Sequence, residues 1–183
     1  MPEFYFDVVN FSSEDEAFES TVTFHSGNLT GLSSMYRKFC QHLSKSSGNI
    51  RVICNIVLPR VEVIYGGRYE TTTGYTTSYG DREQQRSFYG KILIKDVEAQ
   101  IELRNSDDAE KLTVTNLLIL GKREVLKIFQ YNYVAENHHK RFYVPFHEIS
   151  GPLYQKCFDV FQEVFYGSFR NALERAVADV AYP

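Results

Sequence analysis

His138-His139 and His147-Glu148 are the residues of this chain whose types and spacing come nearest to chemistry. The imidazoles of His138, His139 and His147 could together contact a metal ion. Adjacent histidines in a polar stretch are more often solvated, so no metal site is expected. His147-Glu148 begins like the zinc-protease motif His-Glu-x-x-His, but Ile149-Ser150-Gly151 follows and the second histidine is missing. No Gly-x-Ser-x-Gly elbow and no phosphate-binding Gly-x-x-x-x-Gly-Lys-Ser/Thr loop occurs either. Nothing gathers a nucleophile with a base. The chain is therefore expected not to be an enzyme, with no catalytic residues and no cofactor.

The remaining polar candidates are sparse. Lys140-Arg141 beside the paired histidines is a small basic cluster, which reads as a solvated face. The net charge of -3 gives no electrostatic reason to expect nucleic acid. Three cysteines do not make a disulfide framework. Cys157 lies on an apolar helix face and reads as a buried thiol. Cys40 and Cys54 flank a turn-like stretch centred near position 47, so a hairpin there would set them opposite one another. That geometry permits a bridge without requiring one.

What the chain has in quantity is aromatic surface: 13 Tyr and 14 Phe, with no Trp. Large aromatics supply much buried area and can line a cavity without closing it tightly. Phe24, Ile92, Ile94, Ile101, Phe161, Phe165 and Phe169 are the candidate ligand-binding residues, acting by apolar contact. An ordinary packed core is the competing reading for each of them.

Two long elements must position these residues. Phe88 to Leu103 alternates as one strand of about 16 residues. Its apolar set is Phe88, Gly90, Ile92 and Ile94, then Val97, Ala99, Ile101 and Leu103. The parity change after Lys95-Asp96 is the signature of a β-bulge, and so long a strand implies a sheet that bends there. From Gly151 to Ala181, Leu153, Cys157, Val160, Phe161, Val164, Phe165, Phe169, Leu173 and Val177 recur at helical spacing. Ser150 and Gly151 suit its cap and Pro152 its first turn. The helix and the strand are of similar length, so the sheet is expected to wrap around the helix.

Elsewhere the pattern is β. Phe4, Phe6 and Val8 alternate, and Phe18 to His25 is a second strand. Ile50 to Tyr65 is another, with a second parity shift at Pro59 that marks an edge or a bulge. Leu32 to Leu43 has helical periodicity. Glu70 to Asp81 reads as a mobile loop, Asn105 to Asp108 as a turn, and Lys111 to Leu120 and Arg123 to Val134 as further strands. No βαβ alternation is present, so the fold class is α+β with an antiparallel sheet. At 183 residues the chain is one domain or at most two small ones, and residues 1–183 are read as a single domain.

Gly31-Leu32 with Met35 and Arg37, the strand Gly48 to Glu70, the long Phe88–Leu103 strand, Leu112 to Gly121 and the closing Phe-rich helix stand in the order found in group 7 mite allergens. The chain resembles that family and, more distantly, the takeout and juvenile hormone-binding proteins of arthropods. The resemblance implies half of a tubular lipid-binding fold: a long, strongly curved antiparallel sheet around a long C-terminal helix. It also implies that Leu32–Leu43 is a strand rather than a helix, and we follow it there. The N-terminal helix usual in that family is absent from this reading.

The resemblance implies non-catalytic binding or transport of an elongated hydrophobic ligand, lipid or isoprenoid-like, in an apolar channel between sheet and helix. It also implies an extracellular, secreted location, although Met1 to Asp7 is not a signal peptide. The partners are then a hydrophobic small molecule or lipid and, transiently, a membrane surface, with no protein partner indicated. The alternative is a protein-interaction module whose interior is fully packed.

Overall fold

The structure, a computed structural model, describes residues 1–11, 17–44, 50–72, 83–106, 109–132 and 144–179. Strands β1 (Phe4–Phe11) and β2 (Ala17–Thr30) are followed by a 3-10 turn at Leu32–Ser34 and by β3 (Tyr36–Ser44). Then come β4 (Ile50–Thr72), β5 (Glu83–Ser106), β6 (Ala109–Gly121) and β7 (Glu124–Tyr131). The chain closes with α1 (Phe146–Val164), a π-helical turn (Phe165–Phe169) and α2 (Arg170–Ala178), a helical run of 33 residues. Among the described residues the strands form a seven-stranded sheet in the order β1-β2-β4-β5-β6, with β3 also paired to β4 and β7 to β5. The fold class read from the sequence is the one found: α+β, a curled antiparallel sheet with one C-terminal helix.

The chain divides into two compact units, and β4, β5 and the helical run contribute to both. One comprises Met1–Leu29, Val63–Ile92 and Lys127–Phe158. In it, β1 pairs with β2 so that Phe4 faces Phe24 and Phe6 faces Val22. Phe24 lies 4.8 Å from Phe4 and 5.8 Å from Phe88, ring centre to ring centre, and Phe88 continues to Phe146 at 5.2 Å. α1 buries Ile149, Leu153 and Cys157 fully. It can come this close because Gly90 has no side chain: a Cβ there would stand 2.6 Å from Leu153 Cδ2.

The other unit comprises Thr30–Glu62, Leu93–Leu126 and Asp159–Pro183. Here β3 pairs with β4 in a register that sets Cys40 opposite Cys54, and the two form a disulfide with Cα atoms 4.0 Å apart. The turn expected at residues 45–49 lies outside the described residues. The parity change in β5 is real: Ile94 and Val97 are both buried, and Asp96 between them adopts a left-handed backbone with φ 50°. Arg123, just before β7, donates its backbone N–H to the Lys95 carbonyl at 3.0 Å and reaches Asp96 Oδ2 at 3.4 Å. β4 changes parity likewise, from buried Ile56 and Leu58 to buried Val61. Pro59 does not mark an edge, because β4 has neighbours on both sides. It lies near the point where β4 exchanges β2 for β3 as partner, beside Gly31 (φ 98°), whose missing Cβ leaves room for the Arg60 carbonyl.

Several element ends differ from the sequence reading, while β3 lies in the sheet as that reading placed it. The helix begins at Phe146 rather than near Gly151, because the Pro145 carbonyl accepts N–H bonds from Glu148 and Ile149 at 3.0 and 3.2 Å. Pro152 therefore sits inside α1, on a solvent-facing stretch with Gly151, between the fully buried Ile149 and Leu153. Leu32–Leu43 is a 3-10 turn and a strand, as the family resemblance implied and its helical periodicity did not. Glu70–Thr72 extend β4, and Asn105 and Ser106 end β5.

Candidate functional site

The seven apolar candidates fall in both units. In the first, Phe24 and Ile92 are wholly buried. Phe24 is surrounded by Phe4, Phe6, Tyr65 and Phe88 at 4.8–6.2 Å. In the second, Ile94, Phe161 and Phe165 are wholly buried, Ile101 is 7% exposed and Phe169 is half-buried. Phe165 lies 5.6 Å from Phe161 and 5.1 Å from Phe169, the latter nearly parallel at 22°. Offset ring pairs of this kind add roughly 0.5–1.5 kcal/mol each beyond their burial.

The helix changes character at the π turn. The Arg170 N–H bonds back to the Phe165 carbonyl, which widens the helix by one residue. That turn carries Tyr166, whose hydroxyl accepts the Ile119 N–H of strand β6 at 3.1 Å. Up to the first residue of the turn the apolar stripe is buried, at Val160, Phe161 and Phe165. From the last residue of the turn onward it persists as Phe169, Leu173 and Val177, all half-buried, and α2 has no fully buried residue although it packs against β6. The sequence stripe contained Leu173 and Val177, but nothing in it told where the cover would thin.

The same unit carries a surface groove of about 650 Å³ lined by Tyr36, Lys38, Asp96, Glu98, Leu120 and Arg123 among others. It holds the ion pairs Lys38–Glu98 at 2.9 Å and Arg123–Asp96 at 3.4 Å, and none of the seven candidates lines it. Nearby, Glu102 accepts both Arg51 and Arg104 at 2.7–2.9 Å. The hydrogen bond from Arg51, followed by that from Arg104, holds its carboxyl down at about 2.

Burial pushes the Cys157 thiol up to about 12, so it stays protonated. Burial does the same to the Tyr65 hydroxyl, also to about 12, and its nearness to Cys157 adds to the effect. His147 is exposed and pairs with Glu148 at 3.4 Å. Among the described residues no three His, Cys, Asp or Glu side chains gather as a metal site. His138, His139, Lys140 and Arg141 lie outside the described residues.

No protein-family model matches the chain, and no curated protein matches it. Among solved structures, a lipopolysaccharide binding protein is similar. Its crystal structure aligns with a TM-score of 0.43 and 13% identity over 95% of this chain. The chain spans 35% of that protein's length. No helix among the described residues is long and apolar enough to cross a membrane.

Proposed function

We propose that this protein binds an elongated hydrophobic molecule, such as a lipid or isoprenoid, without catalysis, against the apolar side of its C-terminal helix. The observation that carries this reading is the continuation of the apolar stripe past its own cover, from the buried Phe165 to the half-buried Phe169, Leu173 and Val177. A ligand laid along those side chains gains about 0.8 kcal/mol for each methylene it removes from water. The sequence resemblance to group 7 mite allergens and to takeout and juvenile hormone-binding proteins is in keeping with this reading. The Cys40–Cys54 bond supports an oxidising, extracellular setting.

The full burial of Phe24, Ile92, Ile94, Phe161 and Phe165 favours a second reading, a packed interaction module. Native mass spectrometry of the purified protein separates the two. Co-purified lipid, retained at one equivalent and lost on delipidation, supports the binding reading. A bare polypeptide that takes up no added lipid favours the packed module.

A further inference from the structure

Strand β3 adds no buried side chain to the core. Among Tyr36–Leu43 no residue is buried, and Tyr36 and Phe39 are 51% and 52% exposed. Among the described residues the strand pairs with β4 alone, and its register shifts between Arg37 and Phe39. Lys38 pairs with Glu98 of β5 at 2.9 Å, but both groups are about half exposed, and such a surface pair holds little. The strong tether is the Cys40–Cys54 bond between directly opposed residues. β4 needs no such tether over this stretch. Its Val52, Ile56 and Val57 are buried, its Arg51 donates to Glu102 of β5 at 2.8 and 2.9 Å, and its Asn55 accepts from Gln100 of β5 at 3.3 Å.

An edge strand with few buried contacts opens locally at a lower free energy than the core it borders. We propose that the Cys40–Cys54 bond is a thiol-sensitive latch on this edge: its reduction frees β3 from β4 while the rest of the fold persists. The reductant is a dithiol. Its thiolate attacks Sγ of Cys40, the more exposed of the pair, the S–S bond breaks, and Cys54 leaves as a thiolate that takes up a proton. The second thiol of the reductant then displaces Cys40 from the mixed disulfide. Two protein thiols have formed, and the dithiol has been oxidised to its own disulfide. Release has a local consequence. Tyr36 and Lys38 leave the groove that they line with Val57, Asp96 and Leu120, and the Lys38–Glu98 pair is broken.

Cys157 supplies an internal control, because it is wholly buried in α1 and meets an alkylating agent only where the helix opens. The test is hydrogen exchange read by mass spectrometry on wild type at pH 7.5, with and without dithiothreitol, alongside iodoacetamide labelling of the reduced protein. Cys40 and Cys54 should take up label while Cys157 does not. The amides of Tyr36–Ser44 should exchange about ten-fold faster or more after reduction, with those of β5 and α1 unchanged. Cys40→Ser/Cys54→Ser should show the same fast exchange in β3 without reductant. Failure of Cys40 and Cys54 to label in the native protein, or unchanged exchange in β3 once they are labelled, overturns the latch. Labelling of Cys157 with faster exchange throughout the chain also overturns it, because the bond then holds the whole fold rather than one strand. Should the double variant not fold, the reduced wild type decides alone.

Discussion

Truncating Phe165 to Ala separates a closed interior from a lined channel. Phe165 is wholly buried and has rings around it at 5.6 Å (Phe161), 5.3 Å (Tyr166) and 5.1 Å (Phe169). A phenylalanine removed from a closed interior costs about 3–5 kcal/mol, the lost transfer energy plus the cavity left behind. For a chain of this size that corresponds to a fall in melting temperature of about 6–20 °C. Leu173 is only half-buried, so Leu173→Ala should cost about 1–2 kcal/mol. Urea denaturation followed by circular dichroism, with the same m-value for all three proteins, gives both numbers. A loss below about 1.5 kcal/mol for Phe165→Ala would refute the reasoning, because a ring whose removal leaves so little cavity already borders unfilled space. The binding surface would then start at Phe165 rather than beyond it.

Other outcomes follow from the same structure. Glu102 has its folded-state value depressed to about 2 from an ordinary 4.5, so its contribution is full above pH 4.5 and is lost as the pH falls toward 2. Glu102→Gln should flatten the acid limb of the stability curve between those values, and an unchanged limb would remove Arg51 and Arg104 as its cause. The Cys40–Cys54 bond closes a loop with a sequence separation of 14, and Cys40→Ser/Cys54→Ser should cost about 3 kcal/mol in the chain-entropy account. Equal melting of wild type with and without reductant would contradict it. Gly31→Ala forces a Cβ into a left-handed backbone and against the Arg60 carbonyl, so it should destabilise by about 1–2 kcal/mol or more, read by the same melts. A neutral Gly31→Ala would mean that the β2–β3 corner relaxes freely.

The features most legible in the sequence were those written in strict alternation. The parity changes at Asp96 and Pro59 showed because one face of each strand is buried, so a single extra residue exchanges the faces. Element ends were less legible. β5 starts at Glu83 and ends at Ser106, where polar residues carry no alternation to follow. For β3 the misleading helical period has a physical origin. The register shifts between Arg37 and Phe39, so Tyr36 and Phe39 are both exposed while Cys40 faces Cys54, and the apolar spacing imitates three- and four-residue steps. The Ser150-Gly151-Pro152 sequence resembles a helix start, yet packing of Ile149 and Leu153 on either side carries the helix through it. In the candidate site, the buried positions of the stripe were legible, whereas the π turn and the thinning cover over Phe169, Leu173 and Val177 depend on tertiary partners.

Binding along the exposed part of the helical stripe is tested most directly by titrating a fluorescent fatty acid into wild type and Leu173→Glu. Wild type should bind one equivalent saturably and release it to unlabelled fatty acid. A carboxylate at position 173 should weaken that binding by about ten-fold or more relative to Leu173→Ala, the control that shares the loss of apolar packing at this half-buried position. Absence of saturable uptake by wild type, or uptake by Leu173→Glu as tight as wild type, would contradict the account.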